Sequence, residues 1–166
     1  HTFPMFTLSG KFPSVFLIAS SILSIVDAKI SLSKGDDVVF VGAGMGSRVI
    51  HYGHFETEIY LHHSDLNLKI RNLCDEGNTP GFRPHPSRNQ EEQYAFPGAK
   101  DLIHDSLKAG TKPKGHFPTP DQWLSDLHAE VVLCFFGFNS SFDGPKQANR
   151  FKKELGAYVK HLKSMS

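Results

Sequence analysis

Gly35-Asp36-Asp37-Val38-Val39-Phe40-Val41-Gly42-Ala43-Gly44-Met45-Gly46-Ser47-Arg48 is the stretch that decides the fold. An apolar run, Val38 to Val41, stands between a pair of aspartates and a segment with glycine at 42, 44 and 46. Such a run closed by glycine reads as a strand buried on both faces that enters a tight turn. In α/β folds ligands gather at the C-terminal ends of strands, where glycine lets the backbone come close and a following helix offers free N–H groups. Function is therefore expected to start at this turn.

The chain beyond Arg48 continues in the same style. Phe55, Ile59 and His62/His63 are spaced for a helix over about 53–63, and Asn67 to Leu73 alternates polar and apolar as a second strand. Strand, turn, helix, strand makes a βαβ unit. Asp75 to Gly98 is rich in proline and glycine with no period and reads as a long loop, of the length that is functional or disordered in compact domains. Its Phe82, Arg83, His85, Arg88, Tyr94 and Phe96 mix rings with cations, which suits either a lid or sugar-binding rim or an ordinary ordered loop. Leu102, Ile103 and Leu107 predict a helix over 99–109. Thr119-Pro120-Asp121-Gln122 supplies an N-cap, a first-turn proline and a capping-box glutamine for another helix reaching about His128. Glu130 to Phe136 is a continuous apolar run ending at Gly137, as in a central parallel strand, and a last helix carries Phe151, Leu155, Tyr158, Val159 and Leu162 on one face.

Composition narrows the function classes. With 166 residues, 39% of them hydrophobic and 21% charged, one globular domain is expected. A formal net charge of +1, with basic residues scattered among acids, argues against a general nucleic-acid binder, which needs a clustered basic surface. Met5 to Ala28 holds a lone Lys11, a short apolar core broken by Pro13 and serines, and a Val26-Asp27-Ala28 end; it is expected to be a secretory signal peptide (residues 1–28 with those upstream) rather than a membrane span. The domain proper is then 29–166, extracytoplasmic and free of the membrane once the signal is removed, and residues Phe12 to Val26 are expected to touch the sheet little.

Neither a metal nor a cofactor is expected. Two cysteines make no disulfide framework; Cys134 reads as core, and Cys74 as either a small buried hydrophobe or a thiol near the site. His54, Glu58 and His62 share a helix face, but successive turns spread them over about 12 Å, so only two could share an ion and a solvated face is the better reading. Gly42-Ala43-Gly44-Met45-Gly46-Ser47 approaches a dinucleotide fingerprint, with Ser47 where the third glycine belongs and no acidic residue at a second strand end about 20 residues on.

Taken together, Gly42 with Arg48, the segment Arg71 to Thr79, and Gly137-Phe138-Asn139-Ser140 resemble the three blocks of the SGNH (GDSL-like) hydrolases over about Asp36 to Ser166. That resemblance implies a three-layer α/β domain with a parallel sheet of flavodoxin-like order, incomplete at its C-terminal side, and ester hydrolysis, for instance of an O-acetyl group on carbohydrate. It puts Gly44 at the position of the nucleophilic serine and Ala43 at that of the aspartate. It puts Gly77 and Asn139 at the oxyanion positions, with the N–H of Gly44 as a third donor. Asn78 and Thr79 stand where Asp-Thr is common, and Ser140 replaces an acid. No Asp-x-x-His follows Tyr158 to activate a nucleophile. Ser47, a helical turn beyond Gly44, is either a displaced nucleophile or a serine satisfying local N–H groups. Arg48 is either a clamp for a substrate anion or a surface ion-pair partner, and Arg83 is a candidate for binding substrate. Two functions stay open: a secreted hydrolase domain of this type, or a non-catalytic ligand- or carbohydrate-binding domain attached to further domains of a larger protein.

Overall fold

The computed structural model describes residues 30–107 and 115–165, together with the backbone of 14–17. Among them runs a parallel sheet of strands β1 (Ser14–Leu17), β2 (Asp37–Gly42), β3 (Lys69–Asn72) and β4 (Val131–Phe135), in the order β1-β4-β2-β3. The expected first and last strands are β2 and β4, and they pair with each other at the centre, Val38 with Val131 through Gly42 with Phe135.

Strand periodicity sorts the side chains onto two faces. Val38 and Phe40 join Val131, Leu133 and Phe135 against Leu68 and Ile70, and Val49, Phe55 and Ile59 pack on them from helices α1 (Gly44–Tyr52) and α2 (His54–His62). Phe40, Phe55 and Phe135 meet edge to face or tilted, with centroids 5.5 to 5.9 Å apart, a favoured aromatic geometry. Val39, Val41, Val132, Cys134 and Phe136 line the opposite face. They are covered by Ala95 and Phe96, by Leu124 of α3 (Pro120–Asp126), and by Leu155, Tyr158 and Leu162 of α5 (Ala148–Ser164). The molecule is thus α/β with helices on both faces of the sheet.

Local chemistry explains the element ends. Thr119 Oγ1 accepts from the Gln122 N–H at 3.1 Å while the Gln122 side chain accepts from Thr119 N–H at 2.8 Å, the expected capping box. His161 on α5 meets the Asp121 carboxylate at 2.9 Å and ties α5 to that first turn. A single helix was expected beyond the first turn, from about residue 53; instead α1 starts at Gly44, directly off β2, and left-handed Gly53 separates it from α2.

Two expectations are corrected. In place of a helix over 99–109 there is one 3-10 turn, Ala99–Asp101, and irregular chain to Leu107, the later positions lying outside the described residues. His104 and Ser106 hydrogen-bond each other through side chain and backbone, a local alternative to helical pairing. Ser14–Leu17, inside the expected leader, pairs along its length with Ser14 opposite Val131 and Leu17 opposite Cys134, so that segment does contact the sheet. Four apolar-rich residues suffice for a parallel edge strand, and a leader core has the same composition.

Candidate functional site

β3 lies on one side of β2 and β4 on the other, so the chain switches direction at β2. In open α/β sheets the crevice beyond the strand ends at such a point is where ligands bind. Gly42 ends β2 there with φ of +152°, and a Cβ on it would collide with the Phe135 backbone, so only glycine lets β2 and β4 end this close together. Gly46 is confined in the same way by Cys74 Sγ.

Hydrogen bonds tie the three segments at this edge. The Gly42 carbonyl accepts from Asp75 N–H at 3.0 Å and from the Asn78 side-chain amide at 3.1 Å. The Asn78 carbonyl accepts in turn from Asn139 Nδ2 at 3.2 Å. Only an amide at 78 can make the first of these side-chain bonds, since a carboxylate has no N–H to give. Gly44, Gly77 and Asn139 therefore come to one edge of the sheet. Gly44 faces Glu76, whose Cγ would lie 3.6 Å from a Cβ at 44.

The other anticipated residues sort differently. Ser47 Oγ donates to the Gly44 carbonyl at 3.0 Å, as a serine engaged within its own helix does. Arg48 pairs with Glu76 at 3.7 Å, both side chains more than two-thirds exposed, an arrangement of small energetic consequence. Thr79 is buried; its hydroxyl donates to Glu154 Oε1 at 2.5 Å and accepts from Phe82 N–H at 3.2 Å. Arg83 is buried and donates through Nε to the Thr79 carbonyl at 3.1 Å, its guanidinium 4.9 Å from the ring centres of both Phe136 and Tyr158. Burial pushes the Cys74 thiol up to about 12, so it stays protonated and is no nucleophile. His62 and Glu58 pair at 3.5 Å, and among the described residues no three His, Cys, Asp or Glu side chains are grouped to hold a metal ion.

A cavity of about 220 Å³ opens beside Gly77 and Asn139 and is also lined by His104, Ser106, Asp143 and Arg150. His104 Nδ1 accepts from Ser106 N–H at 3.0 Å and lies 2.6 Å from Ser106 Oγ. The neutral ring then carries its proton on Nε2, which is 3.9 Å from Asp143 Oδ1. Asp143 is itself paired with Arg150. The series hydroxyl, imidazole, carboxylate has the order of a nucleophile, base and orienting acid, but its second link exceeds hydrogen-bond length.

Glu154, which also lines this cavity, is buried, with Oε1 accepting from Thr79 Oγ1 and, at 2.7 Å, from Gly81 N–H. Burial pushes its carboxyl above the ordinary range, while these hydrogen bonds and the nearby Arg150 and Arg83 oppose that shift. None of His104, Asp143, Arg150 and Glu154 is apparent from motif reading. Only Glu154 leaves a signal: it sits three residues after Phe151 and four before Tyr158, on the apolar stripe of its helix. No family model, no curated protein and no solved structure matches this chain.

Proposed function

We propose that the chain is a domain of the SGNH hydrolase type that retains the carbonyl-recognising end of the site without the serine of the first block. On this reading it binds an ester- or acyl-bearing small molecule, an O-acetylated carbohydrate being the class, as part of an extracytoplasmic protein. The observation that carries the proposal is the hydrogen-bonded link from Gly42 through Asn78 to Asn139, which draws the three SGNH-like segments to one strand edge. Among the strands that follow β1, the order β4-β2-β3, with β2 the first of the three, supports a flavodoxin-like arrangement, to which β1 adds at the β4 edge. N–H groups of Gly44 and Gly77 and the Asn139 amide are the donors for a carbonyl oxygen; donors held near 3 Å from a developing oxyanion contribute on the order of 3 kcal/mol each in active enzymes. With glycine at 44 and the Ser47 hydroxyl turned onto the Gly44 carbonyl, attack from the first block has no nucleophile.

A second reading rests on the contact of Ser106 Oγ with His104 Nδ1: ester hydrolysis by residues lining the same cavity, with Asp143 orienting the ring after a small approach. One experiment decides. The protein is treated with a fluorophosphonate, the modified residue is mapped by mass spectrometry, and aryl acetate hydrolysis is followed beside Ser47→Ala and Ser106→Ala variants. The binding reading expects no labelled serine and a rate unchanged by either substitution. Stoichiometric label on Ser106, with activity lost in Ser106→Ala, establishes the second reading; label on Ser47 makes that residue a displaced nucleophile and overturns both.

A further inference from the structure

A second cavity, of about 190 Å³, lies at the C-terminal ends of β2 and β3 on the face covered by α3; its walls include Asn78, Arg83, His85, Arg88, Phe117 and Trp123. Arg83 and Arg88 are only 5% and 7% exposed. Arg88 donates from Nε to the Pro118 carbonyl and from Nη1 to the Arg83 carbonyl, both at 2.7 Å, and Arg83 bonds the Thr79 carbonyl. These acceptors are all neutral. Among the described residues neither guanidinium has a carboxylate within ion-pair distance, and the further interaction of Arg83, with the Tyr158 hydroxyl, is also with a neutral group. Asp75 also lines the cavity but stops short of such a pair.

Two buried cations side by side are costly unless an anion meets them. Burial, with the neighbouring Arg83, lowers Arg88 to about 10, in keeping with that crowding. The remaining walls specify more than charge. Phe117 stacks on His85, 3.6 Å away and nearly parallel, and meets Trp123 tilted at 4.9 Å, and the Arg88 guanidinium lies 5.0 Å from the Phe117 ring. Asn78 Oδ1 is buried and accepts no hydrogen bond, so it offers an acceptor to a hydroxyl. His85 Nδ1 accepts from Ser87 N–H at 3.1 Å, which places the proton of the neutral ring on Nε2 as a further donor.

We infer that this cavity binds a small hydroxylated carboxylate, with an acidic monosaccharide as its ligand class. The carboxylate meets the arginines, a hydroxyl donates to Asn78, and a sugar face lies against the aromatic wall. The volume is below that of pockets for drug-sized ligands, which fits one sugar unit rather than a length of polymer. The inference uses side chains none of which lines the His104 cavity, and it holds whether or not that cavity turns over an ester.

Trp123 is the sole tryptophan of the chain, so fluorescence excited where tryptophan but not tyrosine absorbs reports on this wall alone. The whole protein is titrated with sodium D-glucuronate, D-glucose and sodium phosphate at constant ionic strength, and thermal melts are recorded with each. The expected result is a saturable fluorescence change and a raised melting temperature with glucuronate, with glucose and phosphate at least about tenfold weaker, as loss of a charged or a stacking contact gives. Arg88→Gln is expected to weaken glucuronate binding by roughly ten- to a hundredfold, with Arg88→Lys between the two. Should Arg88→Gln fail to fold, His85→Ala and the wild-type melts carry the test, since ligand binding to the folded state alone raises the melting temperature. No saturable response to glucuronate through the millimolar range, or an equal response to glucose or phosphate, overturns the inference.

Discussion

Replacing Glu154 by alanine tests how the site loop is held to α5. Glu154 Oε1 is the shared acceptor for Thr79 Oγ1 and Gly81 N–H, and the residue is 3% exposed. Truncation leaves two buried donors unpaired at about 1–3 kcal/mol each, offset in part because a buried carboxyl no longer has to be accommodated. The net expected loss is about 2–4 kcal/mol, or a fall in melting temperature of roughly 5–15 °C for a domain of this size. Glu154→Gln keeps one carbonyl acceptor and is expected within about 1 kcal/mol of the wild type. Urea unfolding of the three proteins at neutral pH measures both values. The pH dependence adds a sign. Burial raises this carboxyl in the folded state above its ordinary 4.5. The folded protein then binds the proton more readily than the unfolded chain, and the stability of wild type relative to Glu154→Gln must increase as pH falls from neutral through the raised value, being complete below about 4.5. An alanine variant that unfolds at the wild-type urea midpoint, or a wild-type advantage that shrinks on acidification, refutes the reasoning.

Three shorter tests address the rest of the strand edge. Gly42→Ala puts a Cβ into the Phe135 backbone at a φ that side chains avoid, and a loss of at least about 3 kcal/mol in urea unfolding is expected. Asn78→Asp turns the donor that faces the Gly42 carbonyl into an acceptor; a loss of about 2 kcal/mol or more at neutral pH, reduced at low pH as the new carboxyl protonates, is expected from the same measurement. Thr119→Ala removes the capping-box hydroxyl of α3 and should cost about 1 kcal/mol, read as a melting temperature lowered by roughly 2–4 °C.

The two central strands of the sheet were legible because their signals are local. Val38 to Val41 and Val131 to Phe136 are unbroken apolar runs, and burial on both faces is what such runs require. The capping box was legible for the same reason, since its partners are three residues apart. The region 99–109 misled because Leu102, Ile103 and Leu107 keep helical spacing while His104 and Ser106 divert the chain into side-chain bonds that periodicity does not register. The site was half legible. A glycine at a strand end announces close backbone approach, which holds at Gly42, whereas Gly44 and Gly77 were singled out by the SGNH resemblance. The pairing of Glu154 with Thr79, or of Arg88 with the carbonyls of Arg83 and Pro118, spans segments whose meeting depends on the completed fold.

The outer edge of β4 shows why one class of signal stays ambiguous. All five residues of β4 are buried, and on its far side the strand is hydrogen-bonded to Ser14–Leu17. The apolar stretch around those residues satisfies two physical demands with one composition: a leader core must be apolar to enter the export machinery, and a strand added to a parallel sheet must be apolar to be buried beside its neighbours. Neither demand imposes a period, so the sequence does not separate them. Unpaired N–H and C=O groups along a strand as apolar as β4 invite another strand. Loss of Ser14–Leu17 therefore has a consequence for the sheet. It returns that edge to an unpaired state, which a strand from another segment or another molecule must fill if the sheet is to keep the β4 terminus, and with it Gly137 and Asn139, in place beside Asn78.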